Sequence, residues 1–335
     1  MRKIKIVFAG REIEFVDRDI ALKQIEEFAE RGTYPVYVIY GPEGCGKTTF
    51  FKQAKAILED YGYSVVHINP LAESIGERFS ISEELKELAR ELGAYILKDA
   101  SSLIEKAVEL LYTAVRRGIR RRIAILADDV FQAIGLDKAE QIVKSFLNMI
   151  EWPSIRYEKI VVLVASSEGI TMERVGRHDW SFMYTLWNMS RDGFKQLYEV
   201  LPDPKLPFDD VWRITGGNPR ILEILVKNGW NVDIVINNIV VGKRLVDVID
   251  NMNDYEKDIL RKAIEDPDAL RGKEAVSIKK ILIEKNLIIY IPVYRESYLW
   301  IDVPPPEKDL ELGIGRHYAW QTPLHREAVR RALEN

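Results

Sequence analysis

The stretch "VYVIYGPEGCGKTTFFKQAKAIL", residues 36 to 58, constrains this chain more than any other. Val36 to Tyr40 is a run of β-branched and aromatic residues, the pattern of a buried parallel strand. Gly41 to Thr48 satisfies the phosphate-loop pattern G-x-x-x-x-G-K-[ST] at every position. Phe50, Ala54, Ile57 and Leu58 then fall at helical spacing, which predicts a helix over Thr49 to Glu59. Strand, glycine loop and helix in this order turn backbone N–H groups inward around a phosphate, at the positive end of the helix. Gly41, Pro42, Glu43, Gly44, Cys45, Gly46, Lys47, Thr48 and Thr49 are therefore the first candidate residues for binding ATP or ADP. Lys47 is placed to reach the terminal phosphates, and the Thr48 hydroxyl to complete the coordination of Mg2+.

Length allows more than this one unit. A chain of 335 residues, 47% hydrophobic and 30% charged, can bury two or three cores. Its net charge of −4 gives no whole-protein argument for nucleic acid, although a local basic patch stays open. No apolar run approaches a membrane span, and Met1 to Gly10 is too short for a signal peptide. The single cysteine, Cys45, excludes an internal disulfide and suits a reducing cytoplasm. His67, His178, His317 and His325 show no metal-ligand spacing with it.

Along the chain, residues 19 to 31 read as a helix, Tyr63 to Asn69 as a second strand, and 82 to 98 and 101 to 117 as helices. "RIAILADDVF" is an apolar strand ending in two aspartates, Asp137 to Trp152 a helix, and Lys159 to Ser166 another buried strand. Tyr184 to Met189 reads as a fifth. Strands alternating with helices predict a parallel sheet covered on both faces. Beyond about residue 190 short helices are expected at 191 to 201 and 221 to 227. From about 251 come helices at 254 to 264 and 276 to 285, strands at "LIIYI" and "YLWID", a linker at 303 to 309, and a final helix at 323 to 333. Helix, helix and hairpin outline a winged-helix domain. The expected division is a nucleotide-binding core over 1–190, a lid over 191–250 and a winged-helix-like domain over 251–335.

A phosphate loop alone hydrolyses nothing. An acidic residue at the end of a neighbouring strand must hold magnesium, and "IAILADD" supplies Asp128 for that. Asp129 is next in line to orient the attacking water. Aspartate is one methylene shorter than glutamate, so slow hydrolysis is expected. Ser166, with Ser167 as an alternate, is the candidate for sensing the terminal phosphate from the next strand. In "ITGGNPRIL", Pro219 suits a first helical turn, from which Arg220 would project toward the nucleotide.

Together these motifs resemble the archaeal ATPases of the STAND branch, signal-transduction relatives of AAA+ proteins. "FVDRD" (15 to 19), "GPEGCGKTT", "ILADDVFQ" and "TGGNPR" are similar to that family's opening box, phosphate loop, acidic strand and glycine-proline motif. In the opening box Asp17 replaces the family's glycine. The resemblance covers residues 15 to 230 and implies an α/β P-loop NTPase: a five-stranded parallel core, a helical lid and a C-terminal winged helix. It implies that Arg18 lies near the bound base, and that Arg177, of the pair Gly176-Arg177, serves as an arginine finger or is a surface residue. It further implies a slow ATPase that works as a switch, with ATP and ADP favouring different domain arrangements and a protein partner or second copy reading the difference.

The alternative is a DNA-processing ATPase related to origin-recognition initiators. Lys279, Lys280, Lys285, Arg326, Arg330 and Arg331 give the C-terminal region a mild basic bias, and Tyr290, Tyr294, Tyr298 and Trp300 could stack on bases. Such charges also collect on solvated helices, and such aromatics fill small sheets. "RRGIRRR" (116 to 122), five arginines in seven residues, has the same two readings: a grip on phosphates, or charge gathered at a helix C-terminus. A small-molecule kinase is disfavoured, because a third of the chain lies beyond the lid with no second-substrate motif.

Overall fold

The computed structural model describes residues 2–95, 99–167, 171 and 175–334. Its strands are, in chain order, β1 (Lys5–Phe8), β2 (Arg11–Glu14), β3 (Val36–Tyr40), β4 (Ser64–Ile68), β5 (Phe79–Ile81), β6 (Arg122–Ala127), β7 (Lys159–Ser166), β8 (Ser181–Leu186), β9 (Ile288–Tyr290), β10 (Trp300–Ile301) and β11 (Tyr318–Trp320). The chain divides into two compact units that interleave in sequence. The first comprises Met1–Ile4, Asp19–Tyr40 and Lys47–Tyr184; the second comprises Lys5–Arg18, Gly41–Gly46 and Thr185–Asn335.

In the first unit the strand order is β8-β3-β7-β6-β4-β5. β3 pairs parallel with β7, β7 with β6 and β6 with β4, in unbroken register from Arg122↔Lys159 to Ala127↔Val164 at the centre. The central strands are buried along their length because helices cover both faces, which is why "VYVIY" and "KIVVLVAS" show no alternation. Ile125, Phe131, Phe146 and Val162 stand at the middle of one core. Helices Asp19–Arg31, Lys47–Asp60, Ala100–Arg116 and Leu136–Glu151 follow the expected positions within a residue or two.

Three expectations need correction. The strand placed at Tyr184 to Met189 begins earlier, at Ser181. The sheet is not confined to five strands, since β5 adds an antiparallel edge against β4. Three residues are too few for a periodic signal. The predicted helix at 82 to 98 is a 3-10 turn, Glu83–Leu85, running into a short helix, Lys86–Glu91; residues 96–98 lie outside the described part.

The second unit is mostly helical. Helices Arg191–Glu199 and Pro219–Lys227 were legible, whereas Phe208–Thr215, Val232–Gly242 and Leu245–Asp250 were not. In Phe208–Thr215 the N-terminal aspartates read as loop, yet acids in a first turn are favoured there. "LIIYI" and "YLWID" do not form a hairpin. β9 pairs antiparallel with β11, while Trp300 and Ile301 pair parallel with Thr185 and Leu186. The reason is burial: Trp300 and Ile301 are fully enclosed, and the intervening Pro292 removes a ladder donor. Among the described residues no helix is long and apolar enough to cross a membrane.

The opening box shows why a glycine belongs at position 17. Asp17 has φ 58 and Arg18 φ 66, both in the left-handed region. Asp17 is accommodated by a second glycine: a Cβ on Gly193 would fall 1.7 Å from Asp17 Oδ2 and 2.1 Å from its Cγ. Ser190 Oγ donates to the same carboxylate at 3.4 Å and also accepts from Gly193 N. Gly193→Ala is expected to cost about 1–3 kcal/mol by overpacking, and adding Asp17→Gly should recover that loss. Denaturant unfolding of the single and double variants checks it; an equal loss in both would mean the clash lies elsewhere.

Candidate nucleotide site

The loop after β3 falls in both units, Gly41–Gly46 in the second and Lys47 onward in the first. Each part is described within its own unit.

In the second unit Gly44 and Gly46 adopt φ +76 and φ +103. A Cβ at Gly44 would lie 2.3 Å from Arg220 Cβ, so this glycine is required by contact as well as by conformation. Cys45 N donates to Pro42 O at 3.3 Å, closing the tip. Polar groups from far along the chain hold that tip. Glu43 N donates to Gln321 Oε1 (2.9 Å), and Asn286 Nδ2 donates to Glu43 Oε2 (2.9 Å). Gln321 Nε2 donates to Asn286 Oδ1 (2.8 Å), which closes a ring through three residues, with Glu43 contributing both its backbone N–H and its carboxylate. Asn218 Nδ2 donates to Glu43 O at 2.9 Å and to Asn188 Oδ1 at 2.8 Å. Arg220 N donates to Gly44 O at 3.3 Å. Among the described residues no acceptor meets the N–H of Gly44 or of Gly46.

Arg18 is buried. Its Nη2 donates to Cys45 O (2.8 Å) and Trp187 O (2.9 Å), and its Nη1 pairs with Asp302 Oδ2 (3.0 Å). The guanidinium thus braces the loop's backbone. Cys45 is also buried, with Sγ 3.5 Å from Leu186 O, so its thiol is shielded by the fold itself. Pro219 opens its helix at the first turn as expected, behind Asn218, whose Oδ1 accepts from Ile221 N. The Arg220 side chain is exposed and pairs with Glu223 at 3.0 Å.

In the first unit Lys47 and Thr48 open the helix Lys47–Asp60, and Lys47 is buried. Asp128 ends β6 fully buried; its Oδ2 accepts from Asn69 Nδ2 at 3.3 Å, and its Oδ1 has no partner among the described residues. Burial pushes the Asp128 carboxyl well above the ordinary range, and the Asp129 carboxylate adds to the push. The Thr48 hydroxyl and the ammonium groups of Lys47 and Lys52 pull the other way. His67 Nε2 lies 4.0 Å from Asp128 Oδ2. Burial, reinforced by Lys52 and Lys55, lowers the imidazole to about 3, so it is neutral at ordinary pH. Asp129 has φ 51 and ψ 18, a left-handed conformation of the kind found at functional positions. Ser166 Oγ lies 2.6 Å from Thr171 Oγ1, both buried. Arg177 is exposed and pairs with Glu140 at 2.8 Å.

Lys47, Thr48, Asp128 and Asp129 therefore come together in one unit, and Arg18, Glu43, Gly44, Cys45 and Arg220 in the other. Sequence reasoning missed Asn69, Asn286, Asp302 and Gln321. Asn69 had a signal, a polar residue ending the buried run "YSVVHIN"; the other three had none. The basic stretches are largely neutralised. Arg117, Arg120 and Arg122 pair with Glu91, Glu84 and Glu158, and Arg330 and Arg331 with Glu327, Glu265 and Asp233. Lys279 stands 5.7 Å over the Tyr318 ring.

The model of a family described as an ATPase domain predominantly from Archaea matches residues 15–225. No curated protein matches the chain.

Proposed function

The chain belongs to that archaeal ATPase family, and on this premise we propose that it binds ATP at residues 41–49 and hydrolyses it slowly, as a switch. The observation that carries the reading is Asp128. A buried carboxylate raised by burial, with one oxygen unpartnered among the described residues and the Thr48 hydroxyl beside it, is a donor set that suits a divalent cation. The Gly44 and Gly46 N–H groups suit phosphate oxygens in the same way. Thr48 and Asp128 would hold Mg2+, which supplies charge neutralisation at the β- and γ-phosphates.

In this reading Lys47 neutralises the terminal phosphates, Asp129 orients the attacking water and Ser166 senses the γ-phosphate. Arg177 stays a candidate finger. Within the second unit, Arg18, Pro219 and Arg220 act on the loop residues Gly41–Gly46. A switch needs contacts that differ between nucleotide states. The bonds from Asn218, Arg220 and Gln321 to Glu43 and Gly44 are contacts a bound nucleotide could strengthen or loosen. A partner protein or a second copy would read the change through the lid and the winged-helix-like C-terminal region.

The test is Asp129→Asn. ATP affinity should stay within about threefold while turnover falls at least about a hundredfold. Calorimetry and a phosphate-release assay measure the two; unchanged turnover would remove Asp129 from the role.

A further inference from the structure

We propose that Asn286 and Gln321 are positioning residues for the phosphate loop, acting through Glu43, so that the C-terminal region sets the affinity for nucleotide. This rests on the reading of the loop as the ATP site. The ring is closed: Gln321 Oε1 accepts from Glu43 N, Gln321 Nε2 donates to Asn286 Oδ1, and Asn286 Nδ2 donates to Glu43 Oε2. Each amide uses both its donor and its acceptor within the ring. One bond goes to the loop's backbone and one, charge-assisted, to the adjoining side chain, so the position and orientation of residue 43 are both specified.

The partners are far apart in sequence but lie at the same end of one strand pair. Gln321 follows β11 and Asn286 precedes β9, two strands paired antiparallel, so the strand pair fixes one amide relative to the other. Gln321 is fully buried, and its N–H donates to Leu287 O. Asn286 has φ 51, a conformation asparagine tolerates better than most residues. Asn188 Nδ2 donates to Gln321 O, which ties this assembly to Asn218 and so to Glu43 O. The ring grips the loop by groups that a phosphate does not need, and leaves the N–H groups of Gly44 and Gly46 available. It therefore preorganises the loop, and an already ordered loop gives up less conformational freedom when ligand binds.

The experiment uses the full chain and measures Mg-ATP affinity by calorimetry, turnover at saturating ATP, and the alkylation rate of Cys45 without nucleotide. Asn286→Gly removes the side chain without straining the positive φ, and Gln321→Ala removes the other amide. Each should raise the Kd about tenfold, leave turnover at saturation within about twofold, and speed Cys45 alkylation. A purely structural role, felt as lowered stability, would not separate affinity from turnover. Asn286→Asp alone sets two carboxylates face to face and should bind worst. Combining it with Glu43→Gln restores a donor–acceptor pair, since the new amide at 43 donates to the new carboxylate at 286, which still accepts from Gln321. Recovery to within about threefold of the unaltered Kd is expected. An unchanged or tightened Kd in Asn286→Gly and Gln321→Ala would overturn the proposal, as would failure of the paired exchange to recover. If the unaltered chain did not bind Mg-ATP, the reading of the site would fall instead. Cys45 alkylation would then still show whether the ring orders the loop.

Discussion

Asp128→Asn will cut ATP turnover at least about a hundredfold and, at pH 8 without ligand, make the protein harder to unfold. The two effects share one cause. Asp128 is fully buried, with Asp129 next to it and Oδ1 without a partner among the described residues, so its ionised form is disfavoured in the folded chain. The folded carboxyl holds its proton more tightly than the unfolded one. Its contribution to stability is therefore retained at low pH and lost as pH rises from the ordinary carboxylate value through the raised one. The amide keeps the shape and can still accept from Asn69, yet carries no charge to bury. A gain of about 1–3 kcal/mol is expected, the usual relation between a strained functional group and the stability it costs. Denaturant unfolding at pH 8 and at pH 5 should show the gain shrinking at the lower pH. A loss of stability with normal turnover would refute both the burial argument and the assigned role.

Asp302→Asn should lower stability by about 3 kcal/mol, the cost of removing the carboxylate hydrogen-bonded to a buried guanidinium and leaving it only the charge of the neighbouring Asp17. The Arg18–Asp302 pair joins residues far apart in sequence, and both side chains are about 95% buried. Asparagine tolerates the positive φ of 68 at this position, so backbone strain does not enter the comparison. Arg18 also donates to Cys45 O, so a guanidinium that shifts toward water releases the loop as well. Mg-ATP affinity should fall with stability. A variant that unfolds at the unaltered midpoint would show that the two carbonyls and the Asp17 carboxylate suffice to hold Arg18.

The parts of the site that were legible are those built from consecutive residues. Gly41 to Thr48 reads as a phosphate loop because backbone geometry there is written in glycines, and Asp128 is marked by the apolar strand it terminates. Pro219 and Asn218 signal a helix start by local capping chemistry, which needs no tertiary context. β5, of three residues, was illegible because it exists only through a neighbouring strand; β10 falls within the expected strand "YLWID", but its parallel pairing with Thr185 and Leu186 was not legible. The pairing of β9 with β11 was illegible for the same reason: nothing near "LIIYI" selects Tyr318–Trp320 over the nearer "YLWID".

By itself the sequence determined a parallel α/β core with a nucleotide loop, since hydrophobic periodicity and glycine placement act over a few residues. Only the tertiary structure decided what holds that loop. Glu43 meets Asn286 and Gln321 across separations of 243 and 278 residues, and Arg18 meets Asp302 across 284. Amides and single charges have no periodicity and form such bonds only after the apolar core has brought them within about 3 Å, so their partners are products of packing.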